Sequence, residues 1–295
     1  MRISVIGGGA IGLLVSYFLK QNGQEPVIYT RSSEQATELR KSGLTYKDTK
    51  GSHTTVKVDA KPFAQYFGEE SSCIVAVKQT VMKELHELIT YSEVSYLFLQ
   101  NGISHLSFLE SMPQKQISIG VVEHGAIKED STTVHHLGEG RIKLSSYKGD
   151  SEQRWSGLLH SRCFPTLIEK KWEPMVYEKL IMNASINPLT ALLRITNGEL
   201  LTNPHALSMM KELFEETISV LEMTERREVL WKELLVLCRN TSLNRSSMLK
   251  SVESGKQTEI ESITGEVIKR GNELKINTPY SRFAYEAIRA LDGRG

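Results

Sequence analysis

Ile3-Ser4-Val5-Ile6-Gly7-Gly8-Gly9-Ala10-Ile11-Gly12-Leu13-Leu14-Val15-Ser16-Tyr17-Phe18-Leu19 decides the fold. Seventeen residues without a charge could pass for an export signal or a membrane span. The run is short of the roughly 20 residues that a spanning helix needs. Three consecutive glycines interrupt it and no persuasive cleavage site follows, so it reads as a strand, a tight turn and a helix of a soluble protein. Gly7 to Gly12 fits G-x-G-x-x-G directly after an apolar strand and at the mouth of a helix, the context that gives this motif weight. In it Gly7 permits the turn, Gly9 lets a pyrophosphate approach backbone N–H groups, and Gly12 lets the helix lie close to the strand. Gly7, Gly8, Gly9, Ala10, Ile11 and Gly12 are therefore the expected dinucleotide contacts.

Working outward, short apolar runs alternate with helical stretches through the first half, the pattern of a parallel sheet covered by helices. Ile3–Ile6, Pro26–Thr30, Cys73–Val77, Ser95–Leu99 and Ile117–Val122 read as strands, and Ala10–Leu19 and Thr80–Ile89 as helices. Thr132–His136 and Arg141–Ser145, separated by Gly138 and Gly140, read as a hairpin. Past Lys171 long periodic segments take over: Met175–Asn187, Pro204–Met223, Arg227–Arg239 and Ile260–Leu274. The expectation is an α/β protein, a Rossmann-type doubly wound sheet over residues 1–171 followed by an all-α domain over 172–295, with a cleft between the two. A chain of 295 residues is long enough for two such cores.

The bulk composition excludes several partners. A formal charge of +1 with interspersed signs gives no footprint for nucleic acid or an anionic membrane. Three scattered cysteines, Cys73, Cys163 and Cys238, suggest neither a disulfide framework nor a zinc site, and fit a reducing cytoplasm. No metal is expected.

The second strand ends Tyr29-Thr30-Arg31-Ser32, without the carboxylate that would bind the ribose hydroxyls of NAD. Arg31 offers a fork of donors suited to a 2′-phosphate, which favours NADP; the alternative is a solvated surface arginine. Lys78 and Gln100-Asn101-Gly102 follow the third and fourth core strands, where such sheets place ligands. Asn101-Gly102 can also be only a turn.

In the second half, Lys179, Asn183 and Asn187 recur every fourth residue on a helix that is otherwise largely apolar, with Pro188 expected to end or kink it. The stripe is either a site or the wet face of an amphipathic helix. Glu259 stands at the expected start of the helix at Ile260, where it can serve a ligand or merely the helix dipole.

Taken together and in order, these motifs resemble the ketopantoate reductase family over essentially the whole chain. The resemblance runs from Gly7–Gly12 through Arg31, Val77-Lys78, Gln100-Asn101-Gly102, Lys179–Asn187, Asn197-Gly198-Glu199-Leu200 and Ser246-Ser247-Met248 to Thr258-Glu259. Asn187–Leu201 and Gly120–Ala126 are most similar to Bacillus-type members. The resemblance implies reduction of a small 2-keto acid, ketopantoate, by NADPH in pantothenate biosynthesis; the sequence does not disclose the oligomeric state, and a homodimer is one option. It places the catalytic lysine at Lys179 and the active-site glutamate at Glu259, which also borders the cofactor. Substrate contacts fall on Lys179, Asn183, Asn187, Asn197, Asn244 and Ser247; Arg31 and Lys78 fall to the cofactor, and Asn101 is shared. One departure is Ser251, where many members carry an acid. Two rivals stay open: a paralogous reductase of another 2-keto or 3-hydroxy acid, and a dinucleotide sensor without turnover.

Overall fold

The computed structural model describes residues 1–85, 89 and 93–292. They form two compact units, Met1–Gln100 with His105–Met175, and Asn101–Ser104 with Val176–Gly295. The sequence reading drew a single division at 171/172; the structure moves it to 175/176 and assigns the four residues after Gln100 to the second unit.

In the first unit, β1 (Arg2–Ile6) leads into α1 (Ala10–Gln21), β2 (Glu25–Thr30) and α2 (Ser33–Ser42). There follow β3 (Leu44–Lys47), β4 (His53–Val56), β5 (Asp59–Pro62), β6 (Ser72–Val75), α3 (Met82–Leu85) and β7 (Ser95–Phe98). The unit ends with α4 (Leu106–Ser111), β8 (Ile117–Val122), β9 (Gly125–Lys128), β10 (Thr133–Gly138), β11 (Ile142–Lys148), α5 (Glu152–Leu159) and β12 (Thr166–Ile168). Eight strands pair in the order β12-β11-β8-β7-β6-β1-β2-β5, all parallel except β11 against β8. Strand order reverses between β1 and β6, which puts the switch point of a doubly wound sheet at the end of β1. Ile3 and Val5 of β1 are fully buried and pack with Leu13, Leu14 and Phe18 of α1 and Ile28, Ile74 and Leu97 of the neighbouring strands.

Two strands expected as a hairpin are not paired with each other. β10 joins β9, β3 and β4 in a separate four-stranded sheet, whereas β11 crosses to β8 and extends the main one. That arrangement gives the β8 edge a partner and still buries Val134, Ile142 and Leu144. The helix expected over Thr80–Ile89 is a 3-10 turn, Gln79–Val81, running into α3; residues 86–88 lie outside the described residues.

The smaller sheet is tied to α1 by aromatic and histidine contacts. Tyr17 stacks on Tyr46 at 4.1 Å and Phe18 on Phe164 at 4.2 Å, while His124 stacks on the far side of that cluster at 4.4 Å from Phe164. Gly140 N–H donates to His124 Nδ1 (3.1 Å), so that nitrogen is an acceptor. His136 Nε2 must then donate to it (3.0 Å), and Tyr46 OH lies 2.9 Å from His136 Nδ1. The His124 imidazole is thereby fixed as a neutral tautomer, and burial lowers the pKa of His136.

The second unit is helical: α6 (Trp172–Leu193, entered from the first unit), α7 (Glu199–Thr202), α8 (Pro204–Val220), α9 (Arg227–Asn240), α10 (Ser247–Glu253), α11 (Glu266–Leu274) and α12 (Pro279–Asp292). α8 begins as its sequence dictates, with Asn203 accepting from the His205 and Ala206 N–H groups and Pro204 in the first turn. Pro188 does not end α6. Proline forgoes one backbone bond, but Leu189, Thr190 and Ala191 beyond it are buried and hold the last turn in place. Ahead of α11, Glu261–Gly265 is a π turn that the regular spacing of Ile260, Ile263 and Val267 did not announce. Among the described residues no helix is long and apolar enough to cross a membrane, and no three His, Cys, Asp or Glu side chains are grouped to hold a metal ion.

The histidine pair makes the fold acid-sensitive. Burial first, and the neighbouring His136 second, push His124 down to about 4 from an ordinary 6.5. Between those values the unfolded chain binds a proton that the folded chain refuses, so stability is complete above about pH 6.5 and declines as pH falls towards 4. The loss from His124 should reach about 3 kcal/mol. Urea midpoints measured from pH 7.5 to 4.5 should fall less steeply for His124→Gln than for the unaltered protein; parallel curves would remove the histidine from this role.

Candidate active site

In the first unit the site is built on close backbone approaches. Gly7 has φ +127°, its N–H donates to Tyr29 O (2.8 Å), and a Cβ there would stand 2.5 Å from Ala76 O. A Cβ on Gly12 would lie 1.8 Å from Gly7 O, so the first turn of α1 is as near the end of β1 as a backbone can come. Gly9 is exposed with open space around its Cβ position, and the α1 N-terminus has neither a side-chain cap nor an acid in its first turn. Ala10 and Ile11 form that turn, half-buried. Unclaimed N–H groups at the positive end of a helix, with room in front, suit an anion such as a pyrophosphate. Gly8 is buried against Gln35 and Thr30.

Arg31 follows β2 in full exposure, paired with Glu84 at 3.1 Å; both side chains are more than half exposed, so the pair is weak and can be exchanged for a stronger anion. Next to it Ser32 caps α2, accepting from Gln35 N–H (3.2 Å). Lys78, also exposed, precedes the 3-10 turn after β6. Gln100 is buried and donates to Val75 O (3.1 Å). Gln79 Nε2 donates to His105 Nδ1 (2.8 Å), and burial pushes this histidine down to about 4.

The remaining expected residues fall in the second unit. Asn101 and Glu259, 158 positions apart, come together, with Nδ2 to Oε2 at 3.5 Å. Gly102 permits this: its φ is +77°, and a Cβ there would stand 2.0 Å from Ser262 O, in the π turn that begins two residues after Glu259. Ser262 Oγ donates back to Glu259 O (3.1 Å). Buried Thr258 is gripped by Asp292 of α12, which accepts from its N–H (3.2 Å) and its hydroxyl (2.8 Å). The segment carrying Glu259 is thus fixed on both sides.

Lys179 and Asn183 are half-buried on α6 and Asn187 is buried, one helical turn apart in succession. Arg270 fixes the rotation of this helix, with its guanidinium 5.4 Å above the Tyr177 ring and its side chain donating to Tyr177 OH (3.2 Å) and Val220 O (3.0 Å). Glu178 pairs with Arg226. Asn197 and Asn244 are joined through their backbones, Asn197 N–H to Asn244 O at 3.0 Å. The Asn197 amide donates to Thr241 (2.9 Å), while its buried Oδ1 has no protein partner among the described residues, an acceptor left for a donor such as a ligand hydroxyl. Asn244 itself is exposed, as is Ser247 at the start of α10. Ser246 caps α10 and lies 2.8 Å from Thr190 Oγ1, which ties that helix start to α6.

Sequence reasoning missed the supporting residues Gln35, Thr190, Ser246 and Asp292. Only Ser246 carried a readable signal, as the first residue of the Ser246-Ser247-Met248 motif; the others act through partners far away in sequence.

Comparison with known proteins bears on the family and the fold. Residues 3–149 match the family model described as ketopantoate reductase PanE/ApbA, and residues 171–292 match its C-terminal counterpart. A 2-dehydropantoate 2-reductase of Bacillus subtilis is 36% identical over 298 residues, covering 99% of this chain and 98% of that relative. The crystal structure of a probable 2-dehydropantoate 2-reductase from Bacillus subtilis superposes with a TM-score of 0.90 at 34% identity, over 99% of this chain and all of the other. A ternary structure of D-mandelate dehydrogenase with NADH and anilino(oxo)acetate shares the fold, with a TM-score of 0.89 at 22% identity, over 99% of this chain and 98% of that one. With both units matched end to end, the chain belongs to the ketopantoate reductase family and is an oxidoreductase acting on a CH–OH donor.

Proposed function

We propose that the protein reduces 2-dehydropantoate to (R)-pantoate with NADPH, the reductive step towards pantothenate. The observation that carries this reading is the pairing of Asn101 with Glu259 in the unit that also presents Lys179, Asn183 and Asn187 on one helix stripe. These are the groups that recognition of a keto acid and protonation of its oxygen require.

NADPH, when bound, supplies the hydride. Its pyrophosphate suits the open α1 N-terminus beside Gly9, and its 2′-phosphate suits Arg31 and the Ser32-capped start of α2. Lys179, as an ammonium ion, polarises the C2 carbonyl and passes a proton from Nζ to the oxygen as that oxygen gains negative charge. Glu259 holds that cation in place and accepts from a substrate hydroxyl. Asn183, Asn187, Asn197, Asn244 and Ser247 orient the carboxylate and hydroxyl of the keto acid, which supplies the alignment on which the reaction depends. A second reading keeps the chemistry and changes the side chain of the acid. The shared fold of the mandelate dehydrogenase favours it, and a panel including benzoylformate separates the two by relative kcat/KM.

Lys179→Ala should lower kcat by about 10²–10⁴-fold, the usual cost of a lost general acid, while NADPH still binds. Turnover of ketopantoate at an undiminished rate would move the proton donor elsewhere. Arg31→Ala should raise KM for NADPH by about tenfold or more, as for a lost charge-assisted contact, and leave KM for NADH nearly unchanged. An equal change with both cofactors would take the 2′-phosphate away from Arg31.

A further inference from the structure

We propose that Gln35 is a positioning residue of the dinucleotide site, orienting the Gly8–Gly9 peptide so that the Gly9 N–H faces the pyrophosphate. The proposal rests on the dinucleotide reading above and adds to it a residue outside the glycine motif. Gln35 stands in the first turn of α2, half-buried, with three hydrogen bonds reaching three different segments. Its backbone N–H donates to Ser32 Oγ (3.2 Å), its side-chain Nε2 to Gly8 O (2.7 Å), and the same nitrogen to Ser131 O (2.9 Å). An amide nitrogen carries two protons, so both carbonyls are served at once. Ser131 is a firm anchor, because it lies in a turn organised by Asp130, whose carboxylate accepts from the Thr132 and Thr133 N–H groups at 2.8 and 2.7 Å.

The consequence follows from peptide geometry. In a planar trans peptide the C=O and the next N–H point in opposite directions. Holding Gly8 O on Gln35 therefore turns the Gly9 N–H away from Gln35. Gly9 is the exposed residue of the turn, with open space at its Cβ position. The Gln35 side chain lies so close that a Cβ on Gly8 would meet its Nε2 and Oε1 at 2.8 Å, so glycine at position 8 and glutamine at position 35 fit as a pair. Without this bond the Gly8–Gly9 plane can flip, as glycine permits, and an anion would face a carbonyl oxygen.

Gln35→Met keeps the length of the side chain and removes both donors. NADPH affinity measured by quenching of protein fluorescence should weaken about tenfold, the worth of a buried hydrogen bond that sets a phosphate contact. Affinity for 2′-AMP, which has the 2′-phosphate and no pyrophosphate, should change less than twofold, because the Ser32 cap uses the backbone of Gln35. With saturating NADPH, kcat and KM for ketopantoate should stay within twofold. Gln35→Glu, which replaces donors by a carboxylate against two carbonyls, should weaken NADPH further and serves as the test if the methionine variant does not fold. Unaltered NADPH affinity in either variant overturns the proposal, as does equal weakening of NADPH and 2′-AMP. If the unaltered protein binds NADH and not NADPH, the cofactor assignment falls while the same comparison made with NADH still tests Gln35; if it binds neither, both fall.

Discussion

The contact between the first turn of α1 and the end of β1 governs the first unit. With Gly7 O only 1.8 Å from where a Gly12 Cβ would stand, the helix cannot start elsewhere, and no other residue can take the place of that glycine without moving it. Starting there directs the positive end of the helix at the switch point of the sheet, and it sets the angle at which the rest of α1 leaves. Tyr17 and Phe18, adjacent residues about two turns on, are then positioned to stack on Tyr46 and Phe164. A packing constraint that leaves the uncapped start of α1 open thus also decides where the smaller sheet docks. The histidine relay from Tyr46 through His136 to His124 completes that docking, with polar groups that have to be paired once they are buried.

A different principle organises the second unit, where the candidate site residues are anchored through their backbones and neighbours. Asn101 reaches Glu259 because Gly102 lets its segment press on the π turn; Glu259 stays in place because Asp292 grips Thr258 and Ser262 returns to its carbonyl. A π turn widens the helix by one residue and commonly marks functional positions. Here it lets one carbonyl, that of Ser262, meet Gly102 without disturbing the periodicity of α11 beyond it.

The parts of this architecture that were legible in the sequence are those in which the cause is local. The glycine motif, five core strands and the three-residue stripe on α6 each declare themselves within a dozen residues. β3, β4, β5, β9 and β12 do not, because they are three or four residues long, partly polar, and acquire their identity only from a remote partner. The hairpin expected from Gly138 and Gly140 failed for a related reason: turn residues signal a reversal but not which edge the next strand will join. The helix end allowed for at Pro188 does not occur, because propensity weighs a proline in isolation, whereas burial of the turn after it decides where the helix stops. On the candidate site, Lys179, Asn183, Asn187 and Glu259 could be singled out by spacing and motif; Gln35, Thr190 and Asp292 could not, since each works through a hydrogen bond to a segment between 27 and 96 residues away.

The choice of a lysine as proton donor is favoured by what the histidines are doing. A histidine is the usual general acid near neutrality, and His105, four residues along the chain from Asn101, invites that assignment. Yet burial has pushed it down to about 4 and Gln79 occupies its Nδ1, so at neutral pH it has no dissociable proton to give. His124 and His136 are pushed down by burial in the same way, their ring nitrogens engaged by Gly140, one another and Tyr46. With these three imidazoles committed to packing, the reading proposed above needs a different proton donor for the nascent alkoxide. A lysine meets that need because its charge both attracts the oxygen before transfer and disappears as transfer completes, so its affinity for the reacting atom is greatest at the point where the barrier lies.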